Sequence, residues 1–211
     1  PLEKYDTLIR KYCNASCDTL GDFSDSRSVR MGGIIRPVKE LKTKKGDMMA
    51  FAMIEDTRGG TEVVVFPDTY VDAHTLIKEE AAVLVEGTVQ KRETSTNLIA
   101  EKIIPIEQAE QEWTASMVIQ LDASSCDKEI VARLKRIADR YPGECSGYIA
   151  VAVPDKPSVI VQLPEDCKIA CDPAFLKEVE ELLGAGAVTT KCAPVKQKNK
   201  NKKWQKRRKT G

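Results

Sequence analysis

Carboxylates, thiols and a single imidazole are the groups in this chain that could make or break bonds, and their spacing decides whether they do. His74 is the only histidine. It falls in the polar "DAHT" part of a short predicted helix and reads as a surface residue rather than a general base. Glu55 and Asp56 form a tempting carboxylate pair, but neighbours on a strand point to opposite faces and cannot jointly hold one metal. Asp56 reads more simply as the organiser of the turn before Gly59-Gly60. The seven cysteines, Cys13, Cys17, Cys126, Cys145, Cys167, Cys171 and Cys192, are an odd number scattered through a chain without an export signal. That pattern points to reduced cytosolic thiols. Cys13 and Cys17, like Cys167 and Cys171, have three residues between them, and two such pairs could make a four-thiolate zinc site. CxxC is the stronger signature, however, and these pairs fall in different predicted domains. No GxxxxGK[ST], HExxH or GxSxG string occurs. The chain therefore reads as a binding protein, not an enzyme, with no cofactor and no metal expected.

What remains is charge. The net of +1 conceals a segregation: the last 21 residues hold ten Lys and Arg and no acid, leaving 23 bases against 32 acids in residues 1–190. A basic tail of that kind reads as disordered and drawn to polyanions. "KQKNKNKKWQKRRK" sets Trp204 among nine bases. It suits loose nucleic-acid contact by charge and stacking, or a solubilising end, and the sequence leaves both open. In the acidic body, a nucleic-acid site must be a local patch. Two connections supply one: Lys39, Lys42, Lys44 and Lys45 surround the first turn, and Lys91 with Arg92 opens a later loop. Arg36, on the strand ahead of the first turn, joins the candidate set.

The elements that must position these cations are strands. "RMGGIIRPV" is a first strand whose Gly32-Gly33 pair fits the sharp bend of a small barrel. Lys42 to Asp47 make a hairpin turn with Gly46 available for positive φ. Met48–Ile54 and "TEVVVF" are strands two and three, on either side of "EDTRGG". A short helix opens at Pro67-Asp68 and runs to about Ile77, with Tyr70, Val71 and Ile77 inward. "AAVLVEGTVQ" and "NLIAEKIIPI" are strands four and five. Five strands with a helix between the third and fourth, over residues 28–107, match the OB barrel, whose strands two and three and whose first and last hairpin loops bind nucleic acid. The expectation is that both cationic loops emerge side by side and form one rim. Alternation in "MMAFAMI" puts Met49, Phe51 and Met53 on one face and Ala50, Ala52 and Ile54 on the other. Either the alanines fill the barrel and Phe51 is free to stack on a base, or the reverse holds and Phe51 is core.

Residues 1–27 read as a helical lead-in, Leu2 to Tyr12, and a polar connector. Residues 108–116 read as a linker. Residues 117–190 follow the order βαββαβ, a small two-layer α+β domain of ferredoxin-like type: "MVIQL", a helix from Asp127 to Tyr141, "GYIAVAV" and "SVIVQL" around "PDKP", then a helix from Asp172-Pro173 to Gly184 and "GAVTT". Residues 191–211 are the basic tail. No run of 18 apolar residues exists, so no membrane span is expected and the location reads as cytoplasmic. Pro1-Leu2-Glu3-Lys4 has neither initiator methionine nor signal-peptide features and reads as the edge of a longer polypeptide.

"MGGIIRPVKELKTKKGDMMAFAMIEDTRGGTEVVVFPDTY" followed by "VLVEGTV" resembles the OB segment near the C-terminus of the bacterial replicative DNA polymerase III alpha subunit. "PLEKYDTLI" is similar to the segment that joins that barrel to the polymerase, and "KRIADRYPGECSGYIAVAVPD" with "FLKEVEELLGAGAV" is similar to that subunit's last domain. The resemblance implies a barrel that binds single-stranded template through Lys42, Lys44, Lys45 and the Lys91-Arg92 loop. It also implies a last domain that contacts the clamp-loader subunit tau and the replisome. The family's catalytic carboxylates, PHP domain and clamp-binding peptide lie upstream, so this fragment is expected not to polymerise. Two alternatives stay open: a protein-docking module without DNA binding, and a tRNA-binding OB module like those of tRNA synthetases.

Overall fold

The computed structural model describes residues 2–124, 126–153 and 157–197. Most of the "PDKP" connection, and the basic tail from residue 198 onward, lie outside the described residues. The chain divides into two compact units, Pro1–Glu107 joined again from Val195, and Gln108–Pro194.

The first unit is a closed barrel of five strands, β1 (Ser28–Lys42), β2 (Met48–Glu55), β3 (Gly60–Val65), β4 (Ala82–Lys91) and β5 (Thr96–Pro105), in the order β1-β2-β3-β5-β4. Only the β3–β5 seam is parallel. Period-two alternation builds the core: Val29 and Met31, Ala50, Ala52 and Ile54, Val63 and Val65, Val83 and Val85, and Leu98 and Ala100 all turn inward. The two alanines of β2 leave room where a small barrel is narrow. Gly33 does the same for β1, since a Cβ there would lie 2.6 Å from the Glu55 carbonyl oxygen and 2.8 Å from the Ile54 side chain. Past this point β1 shifts register between Ile35 and Val38 and turns from β4 towards β2.

Helix α1 (Asp6–Tyr12) and the segment after it lie against the outside of β1. β2 joins β1 only from Ile34 onward, so the edge of residues 28–30 is free of strand partners on that side. Asn14 takes one of these places: its Oδ1 accepts from Arg30 N at 2.7 Å, and its own backbone N–H donates to Arg30 O at 3.1 Å. Helix α2 (Pro67–Ala73) bridges β3 and β4 and is shorter than the sequence suggests. Ala73 and Ile77 are buried beneath it, but Val71 is 70% exposed, not inward. The helix ends at Ala73, and Ile77 reaches the core from the segment that follows it.

The second unit opens with α3 (Ala109–Trp113), where the sequence suggests a linker; Ala109 and Trp113 are buried. Strands β6 (Thr114–Asp122), β7 (Pro142–Ala152), β8 (Val159–Gln162) and β9 (Val188–Cys192) follow in the sheet order β8-β7-β6-β9. Helix α4 (Lys128–Arg140) links the first two and α5 (Pro173–Leu183) the last two. Asp127 caps α4 by accepting from Ile130 N at 2.8 Å, and Asp172 caps α5 by accepting from Ala174 N at 2.7 Å. Met117, Ile119 and Leu121 of β6 pack with Leu134 and Ile137 of α4 and with Phe175 and Val179 of α5. The βαββαβ order is as expected. The ferredoxin-like pairing is not, because that arrangement splits its first βαβ unit with another strand, whereas β6 and β7 are direct parallel neighbours. β8, four residues long, pairs with β7 and stands at the edge of the sheet.

Candidate nucleic-acid interface

The outward face of β2 and β3 forms a two-strand ribbon, partly exposed along β2 and closed at Val64 of β3, which is 2% exposed. Ala50, Ala52 and Ile54 are inside, so Met49, Phe51 and Met53 point out, with Phe51 half-buried and Met53 exposed. Phe51 pairs with Lys39 of β1 on one side and with Val64 of β3 on the other. Val64 in turn neighbours Ile99 of β5. Phe66 follows β3, stands 45% exposed and continues the outward apolar row. Towards the other end, Met53 pairs with Glu62, which accepts a hydrogen bond of 2.7 Å from Asn97 Nδ2. The face is apolar and aromatic in the middle, with one acid already engaged.

The cations are not gathered on one rim. Lys42 pairs with Met48, so the β1–β2 turn sits at the end of the ribbon where β2 begins. Lys91 pairs with Thr96, whose carbonyl accepts from the hydroxyl of Thr61, so the β4–β5 loop sits where β3 begins. Thr61 pairs with Ile54, six residues along β2 from Met48 and about 20 Å away. The two cationic connections therefore bracket the ribbon from opposite ends. Strand order alone does not reveal this; the parallel β3–β5 seam, which carries the start of β5 to the start of β3, decides it.

Each candidate residue has a distinct setting. Lys39, Lys42, Lys44 and Lys45 are exposed around a turn that Gly46 closes at φ 93°, with Thr43 N bonded to Asp47 O at 2.8 Å. Tyr70 of α2 donates to Glu40 Oε1 at 2.7 Å, which fixes the β1 side of that turn and pushes the phenol's pKa up. Lys91 and Arg92 are exposed, and Lys91 N donates to Asp25 Oδ1 at 3.1 Å. Arg36 differs: its Nε lies 2.5 Å from Glu55 Oε2, and Nη1 pairs with Glu80. The Glu55 hydrogen bond is the main cause of a guanidinium pKa above its ordinary value. Two carboxylates already occupy this cation.

The residues considered for bond chemistry are engaged otherwise. Asp56 Oδ1 accepts from Arg58 N at 2.7 Å and Gly59 N at 3.0 Å, and Oδ2 accepts from Cys17 N at 2.7 Å. It organises the turn, as its position suggests. His74 is exposed, with Nδ1 3.0 Å from Val71 O. Among the described residues no group of three or more His, Cys, Asp or Glu side chains is placed to hold a metal.

Residues 29–106 match the family model of the OB-fold nucleic acid binding domain. The DNA polymerase III alpha subunit of Mycobacterium tuberculosis is 30% identical over 168 residues, 80% of this chain and 14% of that protein. The alpha subunit of Bacillus subtilis is 28% identical over 165 residues, 78% of this chain and 14% of that protein. The chain is a relative of the DNA polymerase III alpha subunit. It spans about one seventh of the length of these alpha subunits, and its OB-fold nucleic acid binding domain is the barrel described above. Among solved structures, the mitochondrial single-stranded DNA binding protein of S. cerevisiae aligns with 38% of this chain and 96% of its own, at 17% identity and a TM-score of 0.33.

No helix among the described residues is long and apolar enough to cross a membrane.

Proposed function

We propose that this chain is a non-catalytic portion of a replicative DNA polymerase alpha subunit whose barrel holds single-stranded template DNA along the outer face of β2 and β3. The observation that carries this reading is the ribbon itself: Met49, Phe51 and Phe66 outward, with exposed lysines at one end and Lys91 and Arg92 at the other. Unpaired bases present π-faces that stack on such side chains, and cations at both ends follow the phosphates without demanding one sequence. Binding therefore runs the length of the ribbon, not along a single rim. Arg36 contributes to the shape of the barrel's end and not to the phosphate contacts.

The test is a titration of labelled oligonucleotides across a salt series. Affinity for single strands falls steeply with salt and drops when Lys44 and Lys45 become Glu. Absent or salt-insensitive binding refutes the reading, and preference for transfer RNA in competition replaces it with the tRNA-binding alternative.

A second reading concerns the other unit. Val159, Ile160 and Val161 on the edge strand β8 are 54, 65 and 51% exposed, an apolar strand edge suited to a protein partner. Docking of replisome proteins, the clamp-loader tau subunit among them, belongs to this unit. Pull-down with clamp-loader components, comparing the whole chain with a variant carrying Ile160→Lys, tests it.

A further inference from the structure

Residues 108–194 carry fourteen acids against nine bases, yet all three of their arginines lie on one helix. Arg133, Arg136 and Arg140 of α4 are three and four residues apart, so they stack along one face. α5 packs beside α4, and between the two helices lies an open cleft of about 830 Å³. Buried Ile137 and half-buried Leu182 give it an apolar floor, and Glu178 and Glu181 of α5 form the opposite wall.

The charges of the two walls do not cancel. Glu178 is taken twice, by Arg140 and by the Tyr141 hydroxyl, which donates to its Oε1 at 2.8 Å. Glu181 Oε1 lies 3.8 Å from Lys177 Nζ. Arg133 and Arg136 are exposed, and among the described residues no carboxylate meets either of them. Arg136 Nε donates to Ala132 O at 3.4 Å, which leaves both of its Nη groups open. Two unpaired guanidinium forks therefore stand over an apolar floor, and such a fork matches a carboxylate through two parallel N–H···O bonds. Phosphates would satisfy the same forks, but a single strand also needs rings on which its bases stack. Among the described residues no aromatic side chain lines the cleft, and the nearby Tyr141 ring is packed edge-on against Phe175 at 5.7 Å between centroids. Carboxylates along the α5 wall would also lie against a phosphate chain.

We propose that the α4–α5 cleft docks an acidic segment of a partner protein, whose carboxylates pair with Arg133 and Arg136 while an apolar side chain beside them settles on Ile137 and Leu182. Exposed ion pairs alone contribute little, and the apolar anchor next to them is what makes the cleft selective. It shares no residue with the β8 edge, so the inference stands apart from docking there.

The experiment uses the whole chain and a fluorescein-labelled peptide, Asp-Glu-Leu repeated four times. Two control peptides replace the acids by Lys or the leucines by Ser. In anisotropy titrations the parent binds the acidic peptide, less tightly as salt rises, binds the Ser version several-fold more weakly and does not bind the basic one. Arg133→Glu combined with Arg136→Glu weakens the acidic peptide by about tenfold. Arg133→Lys combined with Arg136→Lys loses less, because the ammonium keeps the charge and not the fork. An unchanged urea midpoint shows that each variant folds, and both bind single-stranded oligonucleotide as the parent does, which separates this test from that of the barrel. A parent that leaves the acidic peptide unbound at millimolar concentration overturns the proposal. So does a charge-reversed variant that binds the peptide as tightly as the parent. If charge reversal lowers oligonucleotide affinity and leaves peptide binding untouched, the cleft is a nucleic-acid surface and the proposal falls.

Discussion

Phe51 stands directly across the sheet from Lys39, so an aromatic ring and an ammonium share the outward face of the barrel one strand apart. Ala50 and Ala52, which flank Phe51, are 0 and 4% exposed, and they set this orientation. A base laid on the ring would bring its phosphate within reach of the lysine. Phe51→Ala should therefore weaken single-strand binding by about 1–3 kcal/mol, while Phe51→Trp keeps it. Anisotropy titrations at fixed salt measure both. Alanine binding as well as phenylalanine would remove the ring from the interface.

The two bracketing ends should act independently. Groups about 20 Å apart with no shared partner have additive effects. Changing Lys44 and Lys45 to Glu, changing Lys91 and Arg92 to Glu, and combining all four should give losses that sum in log affinity. Arg36→Gln should leave the salt slope unchanged, because its guanidinium already meets Glu55 and Glu80. A single cooperative rim would instead show either pair abolishing most of the binding, and that pattern in the titrations would discard the bracket.

The barrel was legible because its signals are local. Alternation in "MMAFAMI" and "TEVVVF", Gly46 in the hairpin and the two capping aspartates each act within a few residues. The inward or outward sense of Phe51 was not, because alternation defines two faces and only the closed barrel chooses between them. The arrangement of the two cationic loops needed the β3–β5 pairing, a contact between residues 35 apart such as Val63 and Leu98. The charge of Arg36 is visible in the sequence, but the Glu55 and Glu80 carboxylates that occupy it come near only through the fold.

Gly33 tests the barrel's closure. A Cβ there would crowd the Glu55 carbonyl and the Ile54 side chain, and a backbone oxygen cannot move aside cheaply. Gly33→Ala should destabilise the first unit by about 1–3 kcal/mol, read as a lower urea midpoint with an unchanged m-value. Wild-type stability in this variant would mean that β1 and β2 part at that point more easily than their packing indicates.

Cys17 provides a pH signature for the turn that Asp56 organises. Burial, then the nearby Asp56 charge, pushes its thiol from 9.0 up to about 12. Its Sγ donates to Ile54 O at 3.6 Å, and its backbone N–H donates to Asp56. Below pH 9 both the folded and unfolded states keep the proton, so this residue adds no pH dependence. Between pH 9 and 12 the unfolded chain sheds a proton that the folded chain retains, and stability falls as pH rises across that window. Lysines and tyrosines titrate there too, so the informative quantity is a difference. The stability of Cys17→Ser relative to the parent should be constant below pH 9 and shift in favour of the variant above it. Denaturant titrations at pH 7, 9 and 10.5 measure this, and a difference that stays flat through pH 10.5 would mean the thiol ionises as freely in the folded barrel as in the unfolded chain.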